Sequence, residues 1–419
     1  MTLIMVGVFG VLLLLAFPVG YALIISSGAA VMTVGAVPTV ISVVKLFQPT
    51  QSFPLLAIPF FVLSGALMMS GTLGQRLVRF AAALVGKYPG GLAQVTVVGS
   101  TIFGGVSGSA VAEASALGSM LIPWQKREGY PAAFGAATTA ASSVIAGLIP
   151  PSIPLILFAA VSNASIASLF LAGILPGLML AAGMMMVCYV SGRLRNFPRL
   201  QSGGGWRALA HTTVAALPAL LMPAFILILL RFGIATPTEV SVIAVAYALL
   251  VSALIYRDLT VKRVMAALTG TVITTGVVML VIAASNLVGY VLIMEAIPNA
   301  VADYARTVLK EPWLIILAMN LIMLVVGMFL DLPAAILLLG PTFVAVGHTI
   351  GLDLIQLGVM MAVNLSIGLF TPPIGTTLFV SAAISREPIG AIVRELWPFY
   401  LVALTVLFLM SYIPAFTLY

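Results

Sequence analysis

Residues 3–25, 166–190 and 396–410 are continuous apolar runs without a charged side chain. A helix of about 20 such residues matches the roughly 30 Å hydrocarbon core of a bilayer, where every backbone amide and carbonyl must find its partner within the protein. Only helices and closed barrels meet that requirement. Barrel strands would alternate apolar and polar positions over about ten residues, and these runs do not, so the chain reads as an all-α polytopic membrane protein. Composition agrees: 62% of the 419 residues are hydrophobic and 7% charged, with a mean hydropathy of +1.23, too little polar surface to cover a soluble globule. The first run has no basic segment ahead of it and exceeds the apolar core of a signal peptide, so it is expected to remain as a span.

The net charge of +7 is spread over short connections between apolar runs, which indicates topology and argues against nucleic acid as a partner. Arg76, Arg79 and Lys87 share one connection, and Lys126 and Arg127 the next. Arg193, Arg195, Arg199 and Arg207 follow, then Arg257, Lys262 and Arg263, then Arg386 and Arg394. These connections are expected on the cytoplasmic side. The stretch from Glu295 to Glu311, the loop near Asn163 and the segment ending at Tyr419 carry no basic excess and are assigned to the opposite face. The single Cys188 excludes an intrachain disulfide and a cysteine-built metal site. His211 and His348 have no partner cluster, and Gly203-Gly204-Gly205 lacks the preceding strand and following Lys-Ser/Thr of a phosphate cradle. No nucleophile stands at useful spacing from a His and an acid, so an enzyme is not expected.

Ordinary spans are expected near 3–25, 29–47, 53–71, 131–161, 166–190, 214–231, 237–256, 269–294, 354–384 and 396–417. Two further apolar segments, about 90–123 and 313–348, do not fit as simple crossings. A leg of about 15 residues in the first rises only about 22 Å; the first is centred on "FGGVSGSAVAEA" from Phe103 and the second turns at "GMFLDLPAA" from Gly327. Each reads as a re-entrant hairpin, and each precedes a broken span. "GLIPPSIPLILF" at 147–158 returns as "GLFTPPIGTTLF" at 368–379, 221 residues later, while Gly105, Ser109 and Gly118 align with Gly327, Asp331 and Gly340. Five expected crossings separate the two hairpins, an odd number, which makes the second copy upside down: an inverted repeat. Amphipathic stretches 72–89 and 295–311 would lie along opposite faces as struts. The expected organisation is N-terminal spans and first strut (1–89), first hairpin and broken span (90–165), scaffold spans and second strut (166–312), second hairpin and broken span (313–385), and a C-terminal span (386–419).

Non-helical backbone at membrane depth leaves polar groups unpaired, at several kcal/mol each, unless they line a polar cavity. A carbonyl-rich break with nearby hydroxyls suits a hard cation, and an exposed helix N-terminus attracts a carboxylate. Ser107, Gly108 and Ser109 at one tip are expected to meet the break at Gly147 to Pro151, and Asp331 at the other tip to meet Gly368 to Thr371, giving two mirrored sites. A proline kink in a packed helix explains one such break but not two at the same offset behind two hairpins. Intramembrane carboxylates mark function, which singles out Asp331; for Glu113, one helical turn past Ser109, a functional role stands level with bonding neighbouring hydroxyls or pointing to the cytoplasmic vestibule.

These segments resemble the large membrane subunit of tripartite ATP-independent periplasmic transporters, the DctM-like family. The likeness spans essentially the whole chain and rests on "LLAIPFFVLSGALM" (55–68), "FGGVSGSAVAEASALGS" (103–119), "GLIPPSIPLI" (147–156) and "GLFTPPIGTTLFV" (368–380). The resemblance implies a bacterial inner-membrane secondary transporter of elevator type, driven by Na+ and importing a small organic anion such as a C4-dicarboxylate or sugar acid. It also implies two partners besides the lipid bilayer, a small four-helix membrane subunit and a periplasmic substrate-binding protein. The family's sodium sites carry over onto Ser107, Ser109, Gly147 and Pro150, and onto Gly327, Asp331, Gly368 and Thr371. Gly108, Ser152, Asn364, Thr376 and Thr377 are expected to face the substrate. The alternatives are a self-sufficient ion-coupled carrier without a binding protein, and an intramembrane enzyme or scaffold, of which the enzyme lacks its nucleophile and metal sets.

Overall fold

Prolines place the first breaks. In a computed structural model describing residues 1–15, 17–34, 38–69, 72–200 and 205–417, the run 3–25 forms two helices, α1 (Thr2–Leu14) and α2 (Val19–Val34), packed on each other. Pro18 has no amide proton and disfavours helical backbone at the residue before it, so the expected single crossing is corrected to a helical pair. The expected span 29–47 is divided too: its first residues close α2 and its last form α3 (Thr39–Phe47) behind Pro38. Two 3-10 turns, Gln48–Gln51 and Phe53–Leu56, lead into α4 (Ala57–Met69), and the path bends by 59° between Val40–Gln51 and Phe53–Met69. Neither 29–47 nor 53–71 is therefore a straight crossing. Gly203 and Gly204 lie outside the described residues.

The first strut is α5 (Leu73–Val85), whose apolar residues Leu73, Leu77, Val78, Ala81 and Val85 are buried along one face. On its polar face the Arg76 guanidinium stacks 4.5 Å from the Tyr256 ring centre. The first hairpin follows as α6 (Gly91–Ser107) and α7 (Ala110–Arg127); Gln125 ties its legs together, donating to the Thr96 hydroxyl at 2.7 Å and the Leu92 carbonyl at 3.1 Å. The first broken span is α8 (Ala132–Ser142), a 3-10 turn Ser143–Gly147, and α9 (Ile153–Ser162). Four long helices come next: α10 (Ile166–Leu194), α11 (Gly205–Arg231), α12 (Pro237–Leu250) and α13 (Val261–Met294). The second strut is α14 (Ile297–Tyr304), continued by a π turn Ala305–Leu309. The second hairpin is α15 (Pro312–Gly327) and α16 (Leu332–Thr349), and the second broken span α17 (Leu354–Gly368) and α18 (Thr376–Ser385). A last helix, α19 (Ile389–Tyr412), ends the described bundle apart from a short 3-10 turn.

Six helices among the described residues are long and apolar enough to cross a bilayer, or seven with the bent α3–α4 pair as one, and no described residue is in a strand. This is a multi-pass membrane protein. The hairpin leg α16, at 18 residues, reaches that length, about 27 Å at 1.5 Å per residue, so length alone does not separate a hairpin leg from a span.

The hairpins and broken spans pack on one another: α7 on α8 and α18, α9 on α16 and α17, and both α15 and α16 on α17. A polar knot sits inside this body. Asn364 donates to the Asn320 side-chain oxygen at 2.8 Å, and Asn320 donates to the Ser411 hydroxyl at 3.0 Å, joining α15, α17 and α19. Replacing Asn320 by Leu leaves the Asn364 amide short of an acceptor in a buried place, at a cost of about 1–3 kcal/mol. The expected outcome is a lower melting temperature of the purified chain, with Ser411→Ala less affected because it removes one acceptor only.

Candidate functional site

The first tip turns because Gly108 adopts left-handed backbone, φ +60°, which costs glycine nothing and other residues about 1–2 kcal/mol. Ser109 then caps α7, its hydroxyl accepting from the Ala112 amide at 3.4 Å, and the Ser107 hydroxyl accepts from the Ser109 amide at 3.5 Å. A Cβ on Gly108 would lie 2.3 Å from the Pro151 carbonyl oxygen, so the tip of the hairpin rests directly on the first break. In that break Pro150 and Pro151 supply no amide protons. Ser152 completes it from both sides: its hydroxyl donates to the Gly147 carbonyl and accepts from the Leu155 amide at 3.3 Å, capping α9.

The second copy repeats the plan with different side chains. A Cβ on Gly368 would fall 2.2 Å from the Gly327 carbonyl oxygen, and the Ile374 amide donates to the Met328 carbonyl at 3.2 Å, so this tip and this break also interlock. Thr377 bonds the Leu369 carbonyl at 2.9 Å and reaches the Ala140 carbonyl of α8 at 3.0 Å. The Thr371 hydroxyl donates to the Ile367 carbonyl at 2.6 Å. Pro150-Pro151 and Pro372-Pro373 are both cis. Asp331 occupies the cap position of α16 but makes no side-chain cap bond, and its side chain is exposed.

Both tips and both breaks line a single cavity of about 420 Å³. Gly108, Ser109 and the first residues of α7 form one side, Gly147 with Ile153 and Pro154 of α9 another, and Asp331 with Leu332 and Pro333 of α16 a third, with Leu369 of the second break beside them. The Leu369 carbonyl is held by Thr377. Three helix N-termini therefore converge on one space, whose lining contains one carboxylate and no Lys, Arg or His. The two mirrored sites expected from the sequence share this cavity. Of the expected site residues, Gly108, Ser109, Gly147 and Asp331 line it. Ser107, Pro150, Ser152, Gly327, Gly368, Thr371 and Thr377 are not among its lining residues; they belong to the tips and breaks behind it, held by the bonds and close approaches above. Asn364 is buried in the knot with Asn320. Thr376, beside Gly375 at the start of α18, keeps a buried hydroxyl without a hydrogen bond.

A family model described as "Tripartite ATP-independent periplasmic transporter, DctM component" matches residues 6–416. The chain belongs to this family. It is 38% identical to the C4-dicarboxylate TRAP transporter large permease protein DctM of Pseudomonas aeruginosa, over 90% of this chain and 88% of that one. To the 2,3-diketo-L-gulonate TRAP transporter large permease protein YiaN of Escherichia coli it is 36% identical, over 96% and 94%. Among solved structures it is similar to the Alcanivorax borkumensis YdaH transporter, with a TM-score of 0.59 over 88% of this chain and 86% of that one. At 16% identity that likeness speaks for the fold alone. As a DctM component the chain is part of a transporter and not an enzyme.

One wall of the cavity lies outside both copies. Ile273, Thr274, Val277 and Val278 of α13 close it, and sequence reasoning missed them because α13 reads as an ordinary apolar span. The threonines at 271, 274 and 275 were the available signal. Gly368→Ala is expected to push the end of α17 away from Gly327, destabilising the protein by about 1–3 kcal/mol, whereas Gly276→Ala, where an added Cβ meets nothing within 4 Å, is expected to be tolerated. Melting temperatures of the two variants measure the difference.

Proposed function

We propose that this DctM-family chain is the large permease of a sodium-coupled importer of a small organic anion in the bacterial inner membrane. The observation that carries the reading is the shared cavity, with three helix N-termini, one carboxylate and no basic side chain. Helix N-termini offer amide donors and a positive dipole end to an anion, and about 420 Å³ is the size of a small-molecule site. The C4-dicarboxylate and diketogulonate named for the two relatives are both carboxylates, which is the chemistry those termini suit. An anion sharing the cavity with the Asp331 carboxylate is repelled by it, and no side chain in the lining offsets both charges.

A sodium ion supplies that missing positive charge when bound. The donor set fits a hard cation: the Asp331 carboxylate, the Ser109 hydroxyl, and backbone oxygens of the two breaks. Beside Gly147, where an added Cβ would be 3.2 Å from the Ser366 hydroxyl, that hydroxyl is buried without a hydrogen bond, a further oxygen between the two breaks. In this reading the body of hairpins and broken spans moves across the bilayer as an elevator, the second copy is inverted with respect to the first, and α13 belongs to the scaffold. A periplasmic binding protein delivers the anion, and a small four-helix membrane subunit completes the tripartite assembly.

Sodium binding is tested without knowing the substrate. Sodium chloride is expected to raise the melting temperature of the purified chain relative to choline chloride, by an amount equivalent to about 2.7 kcal/mol when sodium is at 100 times its Kd. Asp331→Asn keeps the shape without the charge and is expected to shrink that shift. Equal shifts in the two proteins would remove Asp331 from the cation site, and no shift in either would argue against sodium. The inverted arrangement has its own test. With buried Cys188 replaced by Ser, a cysteine at exposed Lys126 is expected to react from the cytoplasmic side and one at exposed His348 from the other. Labelling of both from one face would refute the inversion.

A further inference from the structure

Glu113 takes no part in the cavity, although it lies in the first turn of α7 only four residues after Ser109. Its side chain turns inward and is 0% exposed. Neither carboxyl oxygen has a hydrogen bond of acceptable geometry. The Ser100 hydroxyl of α6 lies within its reach and is itself bonded to the Ser142 hydroxyl of α8 at 2.9 Å.

The surroundings contain no charge to pair with it. The elements packed closely on α7 are α6, α8, the 3-10 turn at 143–147 and α18, and none of them carries an Asp, Glu, Lys, Arg, His, Tyr or Cys. On α7 itself the basic residues are Lys126 and Arg127, about 20 Å farther along the helix. The strut α5 approaches α7 at Met120, which lies 3.9 Å from the position of a Cβ on Gly74. That is two turns beyond Glu113, and of the α5 arginines, Arg79 is exposed and Arg76 is stacked on Tyr256.

An ionised carboxylate in such a place costs many kcal/mol unless a cation accompanies it. A metal ion would need several more oxygens and a space to occupy, whereas Glu113 is fully buried, on the buried face of α7 with Ala110, Ala114 and Leu117, and lines no part of the cavity. A proton needs no volume. We propose that Glu113 is a proton-binding site of the first hairpin, a neutral carboxylic acid that donates to the Ser100–Ser142 hydroxyl pair and so joins α7 to α6 and α8. Two positions one turn apart then differ in kind: Ser109 opens to the cavity, and Glu113 fastens the hairpin to its own broken span. The assignment stands apart from the sodium reading, since it concerns a group outside the cavity.

Infrared spectra of the full chain in phosphatidylcholine vesicles at neutral pH test it, taken as the difference between the wild type and Glu113→Gln, with and without sodium. The expected result is loss of one carboxylic-acid C=O band, the same in both media. Loss of carboxylate bands instead overturns the proposal, as does an acid band that becomes a carboxylate band when sodium is added, which would make Glu113 a cation ligand. Ser100→Ala keeps the acid and removes its acceptor, so it serves if the Gln variant misfolds. Its acid band is expected at higher frequency than in the wild type, and an unmoved band would overturn the hydrogen-bonded joint.

Discussion

Everything around the cavity depends on one requirement, that a helix interrupted inside a membrane must have its backbone groups satisfied by something other than the next turn. The first break meets it with the Ser152 hydroxyl on the Gly147 carbonyl and with the tip of the first hairpin placed against Pro151. The second meets it with Thr377 on the Leu369 carbonyl and with the Ile374 amide on Met328 of the second tip. In the second case part of the completion comes from the neighbouring hairpin; in the first the bond is internal and the tip packs against the break. A break of this kind therefore fixes a hairpin tip beside it, and Thr377 extends the same logic across the copies by bonding Ala140. The joint cavity follows from these bonds.

Electrostatics then separates two carboxylates that the sequence places in equivalent apolar settings. Asp331 stands at a helix N-terminus and opens to the cavity, where amide dipoles and any bound cation act on it. Glu113 is enclosed by helices without a charged residue. A charged group is usable in the first environment and expensive in the second. The difference is one of exposure and not of residue type, and it divides a group suited to ion binding from one suited to holding a helix in place.

The helix N-termini make a similar point about economy. A cavity lined by Ser109, Asp331 and otherwise mostly glycine, proline and apolar residues has few side chains with which to recognise anything. The polar groups it offers are therefore largely backbone, whose direction is set by where α7, α9 and α16 begin. Proline at the start of α9 and of α16 suits the first turn, where its missing amide proton is not needed within the helix.

Residue order alone determined the membrane class, the two hairpins, the two broken spans and the strut α5, because each is written in consecutive residues: apolar runs, adjacent prolines, a glycine turn, an amphipathic period. It also singled out Gly108, Ser109, Gly147 and Asp331, which line the cavity, from a break that recurs behind a recurring hairpin. Only tertiary structure decided that the run 3–25 folds back before Pro18, that the two expected sites form one cavity, that α13 closes it, and that Asn364 belongs to a knot with Asn320 and Ser411. These outcomes depend on which distant surfaces fit together. The copies are some 220 residues apart, and the packing that brings Ala140 to Thr377 leaves no local pattern in either segment.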